Sequence, residues 1–164
     1  MLKCPKTVSI AVLAGMAMMA ASAQTPPATG LAATSPAKQA IDARRAAYLL
    51  IGNNFRPIGD VLQGRASYDA AEIRKRAGRV AFLATLVGEN FPDASNAGLP
   101  ATRAKAGIWS DRAEFDRLLV EFQKHTQALQ AVAATEDGAS PAFKAAASVV
   151  GQDCKGCHDK FREK

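Results

Sequence analysis

The chain of 164 residues has few aromatic residues, which make up 6% of it, and no alternating run rich in valine, isoleucine and threonine. Both shortages argue against an all-β fold, because strands are enriched in β-branched and aromatic residues. The net charge is +6, but no cluster of lysine and arginine with interleaved aromatics occurs. Nucleic-acid binding is therefore disfavoured, and the length suits a single domain.

Methionine is missing from the whole chain after residue 19. The first residues instead have the pattern of an export signal: Lys3 and Lys6, an apolar stretch over residues 8–21, and small residues up to Ala23. Because the stretch is too short to span a hydrocarbon core of roughly 30 Å, we expect cleavage after Ala23 and a periplasmic protein without stable membrane insertion. An uncleaved membrane anchor is the alternative, disfavoured by the polar linker that follows.

Residues 24–36 are rich in Pro, Ala, Thr and Ser, which predicts a flexible lead-in. Residues 37–164 predict one domain with four amphipathic helices, at about 37–63, 69–90, 111–134 and from Pro141 nearly to the C-terminus. Four such helices without strands predict an all-α, antiparallel four-helix bundle. The long connection over residues 91–109 is expected to contain packed turns of its own.

Apolar residues recur along each helix at helical spacing. In the first helix they follow sevens, at Ile41, Tyr48, Phe55 and Leu62, and Pro57 predicts a kink or break there. The predicted core positions of the other helices are Ile73, Ala77, Val80, Ala84 and Val87; Phe115, Leu118, Leu119, Phe122 and Leu129; and Phe143, Ala147, Val150 and Phe161.

Three helix starts carry capping signals. Asp69 is followed three residues later by Glu72, and the third helix opens at Ser110 or Asp111 with Glu114 completing a capping box. Ser140 followed by Pro141 predicts an N-cap with proline at the first helical position.

The last predicted helix carries Cys154-Lys155-Gly156-Cys157-His158, a C-x-x-C-H motif typical of covalent haem attachment. At about 100° per residue, Cys157 and His158 lie about 60° and 40° from Cys154, so the three share one face. The two thiols can add to the two haem vinyl groups while the imidazole reaches the iron. The motif therefore predicts one haem c near the C-terminus, with His158 as a metal ligand.

Two other kinds of site use similar residues. A dithiol redox pair also has the C-x-x-C spacing, but it belongs to a βαβ context that this helical sequence lacks. A zinc site needs four ligands, and beyond the motif His125 is the one obvious candidate.

The second axial position of the iron has no evident protein ligand. Electron-carrying c-type cytochromes are often closed by methionine, which the chain lacks beyond residue 19. His125 falls at the edge of its helix's apolar stripe and is read as a boundary residue. We therefore expect a five-coordinate iron with an apolar, closed distal side.

The motif near the end of the last helix, the four-helix pattern and the run Gly107-Ile108-Trp109-Ser110-Asp111 together resemble the cytochrome c′ family, the class II c-type cytochromes. The resemblance extends from Ile41 to Arg162. It implies a bundle with one covalently attached haem that binds the diatomic gases NO and CO, with electron transfer to redox partner proteins as a further role. Catalytic turnover is not indicated. A peroxidase, for example, would require a distal acid–base pair, and the first helix offers only Tyr48 and Arg44.

The resemblance also places individual residues at the haem. Tyr48 falls on the family's distal position, and it lies on the heptad seam; core packing alone and direct phenolate ligation are its alternatives. Arg44 shares the seam, where a haem propionate would compensate its charge, unless its stem merely covers apolar surface. Arg162, one turn after His158, corresponds to a basic residue beside the proximal imidazole, and the alternative is a cation at a helix C-terminus.

The rival function is a six-coordinate, low-spin electron carrier of the cytochrome c-556 type. That type resembles this fold but uses a methionine of the first helix as the sixth ligand. The missing methionine argues against it.

A second apolar patch predicts self-association. Phe82 and Leu86 are neighbours on the helix side opposite Val80, Ala84 and Val87. Helix-one and helix-two contacts form the homodimer in much of the resembling family, so a homodimer with this patch near its interface is expected. The alternative is that the connection over residues 91–109 folds back over the patch.

Overall fold

The computed structural model describes residues 35–96 and 102–164. The predicted export signal and most of the predicted lead-in lie outside the described residues. In this part of the chain there are five α-helices: α1 Pro36–Leu62, α2 Ala70–Leu86, α3 Gly107–Ser110, α4 Arg112–Thr135 and α5 Pro141–Phe161. The four long helices are those that the sequence predicts. None of the described helices is long and apolar enough to cross a membrane.

Helix α1 continues through Pro57 without the break that the sequence suggested. Proline lacks the N–H that would donate to the carbonyl of Asn53, one turn earlier. Arg76 of α2 supplies the missing donor, since its Nη1 lies 3.1 Å from the Asn53 oxygen. The two helices are thus joined at the point where α1 lacks an internal hydrogen bond.

The predicted caps are only partly formed. Asp69 accepts a hydrogen bond from the Glu72 amide at 2.9 Å, and Ser140 accepts one from the Phe143 amide at 3.1 Å. The carboxylate of Glu72 instead pairs with side chains one turn further along α2, so only half of that capping box exists. Each N-cap is worth about 1 kcal/mol of stability.

The capping box predicted at Asp111 was wrong. Asp111 makes no capping hydrogen bond to a residue that the structure describes, and its carboxylate lies 2.9 Å from Lys160 Nζ of α5. Glu114 also faces Lys160, at 3.6 Å, and binds Arg117 at 2.7 Å. Asp111 therefore forms an ion pair with α5 and not a local cap.

The connection between α2 and α4 contains packed turns, as predicted. Helix α2 ends at Leu86, and 3₁₀ turns follow at Gly88–Asn90 and Asp93–Ser95, before the single-turn helix α3. Further along the connection, Ala104 forms an antiparallel bridge with Arg162, just after α5. The connection therefore reaches the end of the helix that carries the C-x-x-C-H motif.

The bundle packs α1 against α2, α2 against α4 and α4 against α5, while the contact between α1 and α5 is smaller. Of the predicted core positions, those of α2 and α5 are all buried, along with Phe115 and Leu129 of α4; Leu118, Leu119 and Phe122 are half-buried. One apolar cluster lies around Ile58, Leu129 and Phe143. A second contains Ile51, Phe115 and Phe161, and half-buried hydrophobic residues pack against it.

Candidate haem site

A cavity of about 1040 Å³ opens between α1, α4 and α5. It is lined by all six residues that the sequence placed at the haem: Arg44, Tyr48, Cys154, Cys157, His158 and Arg162. Most of its wall is apolar, and the apolar side chains include Ile51, Phe55, Ile108, Phe115, Leu118, Leu119, Phe122 and Phe161. The cavity thus has apolar walls with a few polar groups at defined positions, as small-molecule sites usually do.

Cys154 and Cys157 lie one turn apart on α5 as free thiols, and both are half-buried against the cavity. Burial, together with the negative charge of Asp153 and the neighbouring Cys157, raises the pKa of Cys154 to about 11. Burial also raises the pKa of Cys157. Both side chains are therefore neutral thiols at pH 7.

His158 lies in the last turn of α5, and its Nδ1 is 3.4 Å from Arg162 Nη1. Because this nitrogen faces Arg162, Nε2 is the ring nitrogen left for a metal ion. Burial, reinforced by the positive charge of Arg162, lowers the pKa of His158. The imidazole is thus held neutral, as a metal ligand must be.

Tyr48 approaches the same imidazole from α1. The two ring centroids are 6.4 Å apart, with the rings inclined at 63°. Burial is the main cause that raises the pKa of Tyr48, with smaller contributions from the two cysteines, so its phenol stays protonated. The hydroxyl has no hydrogen-bond partner among residues 35–96 and 102–164 and is free to meet a ligand in the cavity.

Arg44 is buried, with 2% of its surface exposed, and the connection surrounds it. Its Nη1 donates to the Asn90 carbonyl at 3.3 Å and to Ser95 Oγ at 2.9 Å, and its Nη2 donates to Thr102 Oγ1 at 2.7 Å. The guanidinium also lies over the rings of Phe91 and Trp109, at 4.9 and 5.7 Å.

These acceptors are all neutral, and no carboxylate of the described chain pairs with Arg44. Sequence reasoning did not identify Asn90, Ser95 and Thr102, which lie in a segment without periodicity. In the sequence, the one indication was the position of Arg44 on the heptad seam. A buried guanidinium there needs hydrogen-bond acceptors from outside α1.

His125 does not belong to the set of described residues that line the cavity. Its Nδ1 lies 2.8 Å from Asp153 Oδ2, which makes it a boundary residue of α4 paired with α5. Among the described residues, no three or more His, Cys, Asp or Glu side chains are arranged to hold a metal ion.

Comparison with known proteins shows that the chain matches a known family. The profile of the family described as Cytochrome C′ matches residues 39–162. The chain belongs to the cytochrome c′ family.

Individual cytochromes c′ are similar over nearly their whole length. The protein of Rubrivivax gelatinosus is 37% identical over 125 residues, which cover 76% of this chain and 95% of that one. The solved structure from Shewanella frigidimarina is 38% identical, with a TM-score of 0.73 over 79% of this chain and 98% of that chain.

Two variants of the cytochrome c′ from Alcaligenes xylosoxidans were solved with gases bound. One is a ferrous form with bound NO, 30% identical, with a TM-score of 0.71 over 80% of this chain and 98% of that chain. The other carries carbon monoxide and is 32% identical, with a TM-score of 0.69 over 80% of this chain and 98% of that chain.

Cytochromes c′ bind haem c, and the cavity of this member fits that cofactor. A haem has an apolar macrocycle, two vinyl groups and two propionate carboxylates. The apolar walls and the two thiols match the first two features. Arg44, which also lines the cavity, offers positive charge to the third.

Proposed function

We propose that the protein is an exported cytochrome c′ that binds NO and CO at a five-coordinate haem iron. The observation that carries this proposal is the cavity itself, where His158 lies on one side and a tyrosine, not a methionine, approaches it from α1. The gas-bound relatives support the ligand class. Transfer of electrons to redox partner proteins is compatible with the same site.

In this proposal, Cys154 and Cys157 hold the haem through two thioethers and His158 ligates the iron through Nε2. Bound haem supplies an iron with one coordination position left open for a neutral diatomic. His158 fixes the proximal direction, and the neighbouring Arg162 places a positive charge against its outer nitrogen. A propionate carboxylate is the charge complement that we propose for Arg44, which lines the same cavity.

Tyr48 takes the distal position. Its ring limits the space opposite His158, and burial raises the pKa of its phenol, which is therefore protonated when no metal ion is bound to it. Together with the apolar walls, this excludes water and anions, which would lose hydration on entering. Neutral NO and CO lose little hydration free energy on entering the cavity.

The absorption and EPR spectra of the purified haem protein test this function. We expect a high-spin ferric signal and a ferrous spectrum that changes on addition of CO. A low-spin ferrous α-band that does not change on addition of CO would contradict the proposal. It would favour the six-coordinate carrier of the cytochrome c-556 type.

Replacing Tyr48 tests the distal side. Tyr48→Ala should raise CO affinity about tenfold, equivalent to about 1.4 kcal/mol of relieved crowding, or admit water as a sixth ligand. Tyr48→Phe keeps the ring and should leave the CO affinity close to that of the wild type. Both are measured by CO titration and by the ferric spin state. Unchanged values in Tyr48→Ala would remove Tyr48 from the site.

The exposed apolar residues support a homodimer, which we also propose. Phe82 of α2 is 64% exposed, and on the adjacent α1 Leu49 and Leu50 are 64% and 47% exposed. The connection, in the parts that the structure describes, leaves Phe82 uncovered, while Leu86 is half-buried. Large apolar side chains exposed on two adjacent helices are typical of an interface.

Sedimentation velocity tests the dimer. We expect the wild-type haem protein to be a dimer at micromolar concentration, and Phe82→Glu to weaken association at least about tenfold, because a buried carboxylate lacks a partner. Val120→Glu is the matched control, since Val120 is 62% exposed on α4. A monomeric wild type would refute the dimer, and equal sensitivity to both variants would place the interface elsewhere.

A further inference from the structure

A second cavity, of about 460 Å³, also borders His158. Four basic side chains line it: Arg103, Lys105, Arg162 and Lys164. Its acidic residues are Asp159 and Glu163, and Asp159 is paired with Lys155. The cavity therefore has more positive than negative charge.

The bridge between Ala104 and Arg162 brings these cations together. The Lys105 amide donates to the Phe161 carbonyl at 3.0 Å, and the Glu163 amide donates to the Arg103 carbonyl at 2.8 Å. Arg103 Nε is occupied by the Glu163 carbonyl at 3.2 Å, which leaves its terminal nitrogens available. Within the described residues, neither Arg103 nor Lys105 forms an ion pair.

Among the described residues, none supplies an acceptor to the contact between His158 and Arg162 in the haem-bound protein. With Nε2 on iron, the neutral imidazole carries its hydrogen on Nδ1, and a guanidinium can only donate. Two donors then face each other at 3.4 Å. In the part of the chain that the structure describes, no acceptor completes this arrangement.

We propose that this second cavity binds a small inorganic oxyanion of the phosphate class. Its oxygens accept from His158 Nδ1 and from the Arg162 guanidinium, and Arg103 and Lys105 add charge. The proposal rests on His158 as the iron ligand. An acceptor on Nδ1 makes the imidazole a stronger donor to the iron, so phosphate stabilises the ferric state and lowers the reduction potential.

The test uses the ferric holoprotein and inorganic phosphate, with chloride at matched ionic strength as the control anion. We expect phosphate to lower the reduction potential in a saturable way, and iron to enhance the ³¹P relaxation of phosphate. Arg162→Ala should weaken phosphate binding about tenfold, as expected for loss of a charge-assisted hydrogen bond. Lys144→Ala removes an exposed cation elsewhere on α5 and should change nothing.

Equal responses to chloride and phosphate, or unchanged phosphate binding in Arg162→Ala, would overturn the proposal. The CO difference spectrum of the same samples separates the two hypotheses. A normal CO response without a phosphate response refutes the anion site alone, whereas saturable phosphate relaxation without a CO response refutes gas binding alone.

Discussion

Replacing both Cys154 and Cys157 with alanine is expected to give a protein without covalently bound haem. Both thiols line the main cavity on one face of α5, and both thioethers need them. Without the cofactor, the apolar walls of the cavity lose the group that they pack against, so we also expect a large loss of stability. Mass spectrometry of the denatured chain and thermal unfolding measure the two effects.

Two further variants make this result specific. Cys4→Ala should leave haem attachment intact, because the third cysteine belongs to the predicted export signal. His158→Ala should keep the haem attached but change its spectrum, since the thioethers remain while the iron loses its ligand. A normal haem content in the double cysteine variant would show that the motif is not the attachment site.

Arg44→Ala is expected to destabilise the folded protein by about 3 kcal/mol. The side chain joins α1 to the connection through Asn90, Ser95 and Thr102, and the substitution removes all these hydrogen bonds together with the ring contacts. Urea unfolding of the haem protein, followed by circular dichroism, measures the loss.

Its neighbour Arg45 provides the matched control. Arg45 is exposed, and Arg45→Ala removes the same charge from the same helix. We expect that change to stay within about 0.5 kcal/mol. If both variants unfolded at the same urea concentration, the network around Arg44 would contribute nothing to stability.

Local periodicity was sufficient to predict the four long helices and most of the core. Positions such as Ile73, Ala77 and Val80 are buried because apolar residues at helical spacing have one favourable orientation in a bundle. The C-x-x-C-H spacing likewise predicted the site, since its three functional residues belong to one helix and need no tertiary information to be brought together.

What sequence reasoning missed depends on contacts between distant segments. Asp111 has the sequence context of an N-cap, yet Lys160 of α5 binds its carboxylate. Pro57 has the context of a helix break, yet Arg76 of α2 supplies the donor that Asn53 lacks. In both cases a long basic side chain from another helix makes the contact. The local sequence pattern does not predict such a contact.

Helix ends ordinarily fray, and His158 stands in the last turn of α5, close to Phe161. Here the backbone hydrogen bonds from Lys105 to Phe161 and from Glu163 to Arg103 tie that turn to the connection. Opening the turn requires these bonds to break as well. The orientations open to the His158 imidazole are therefore restricted before haem binds. Less conformational entropy is then lost when the imidazole ligates the iron.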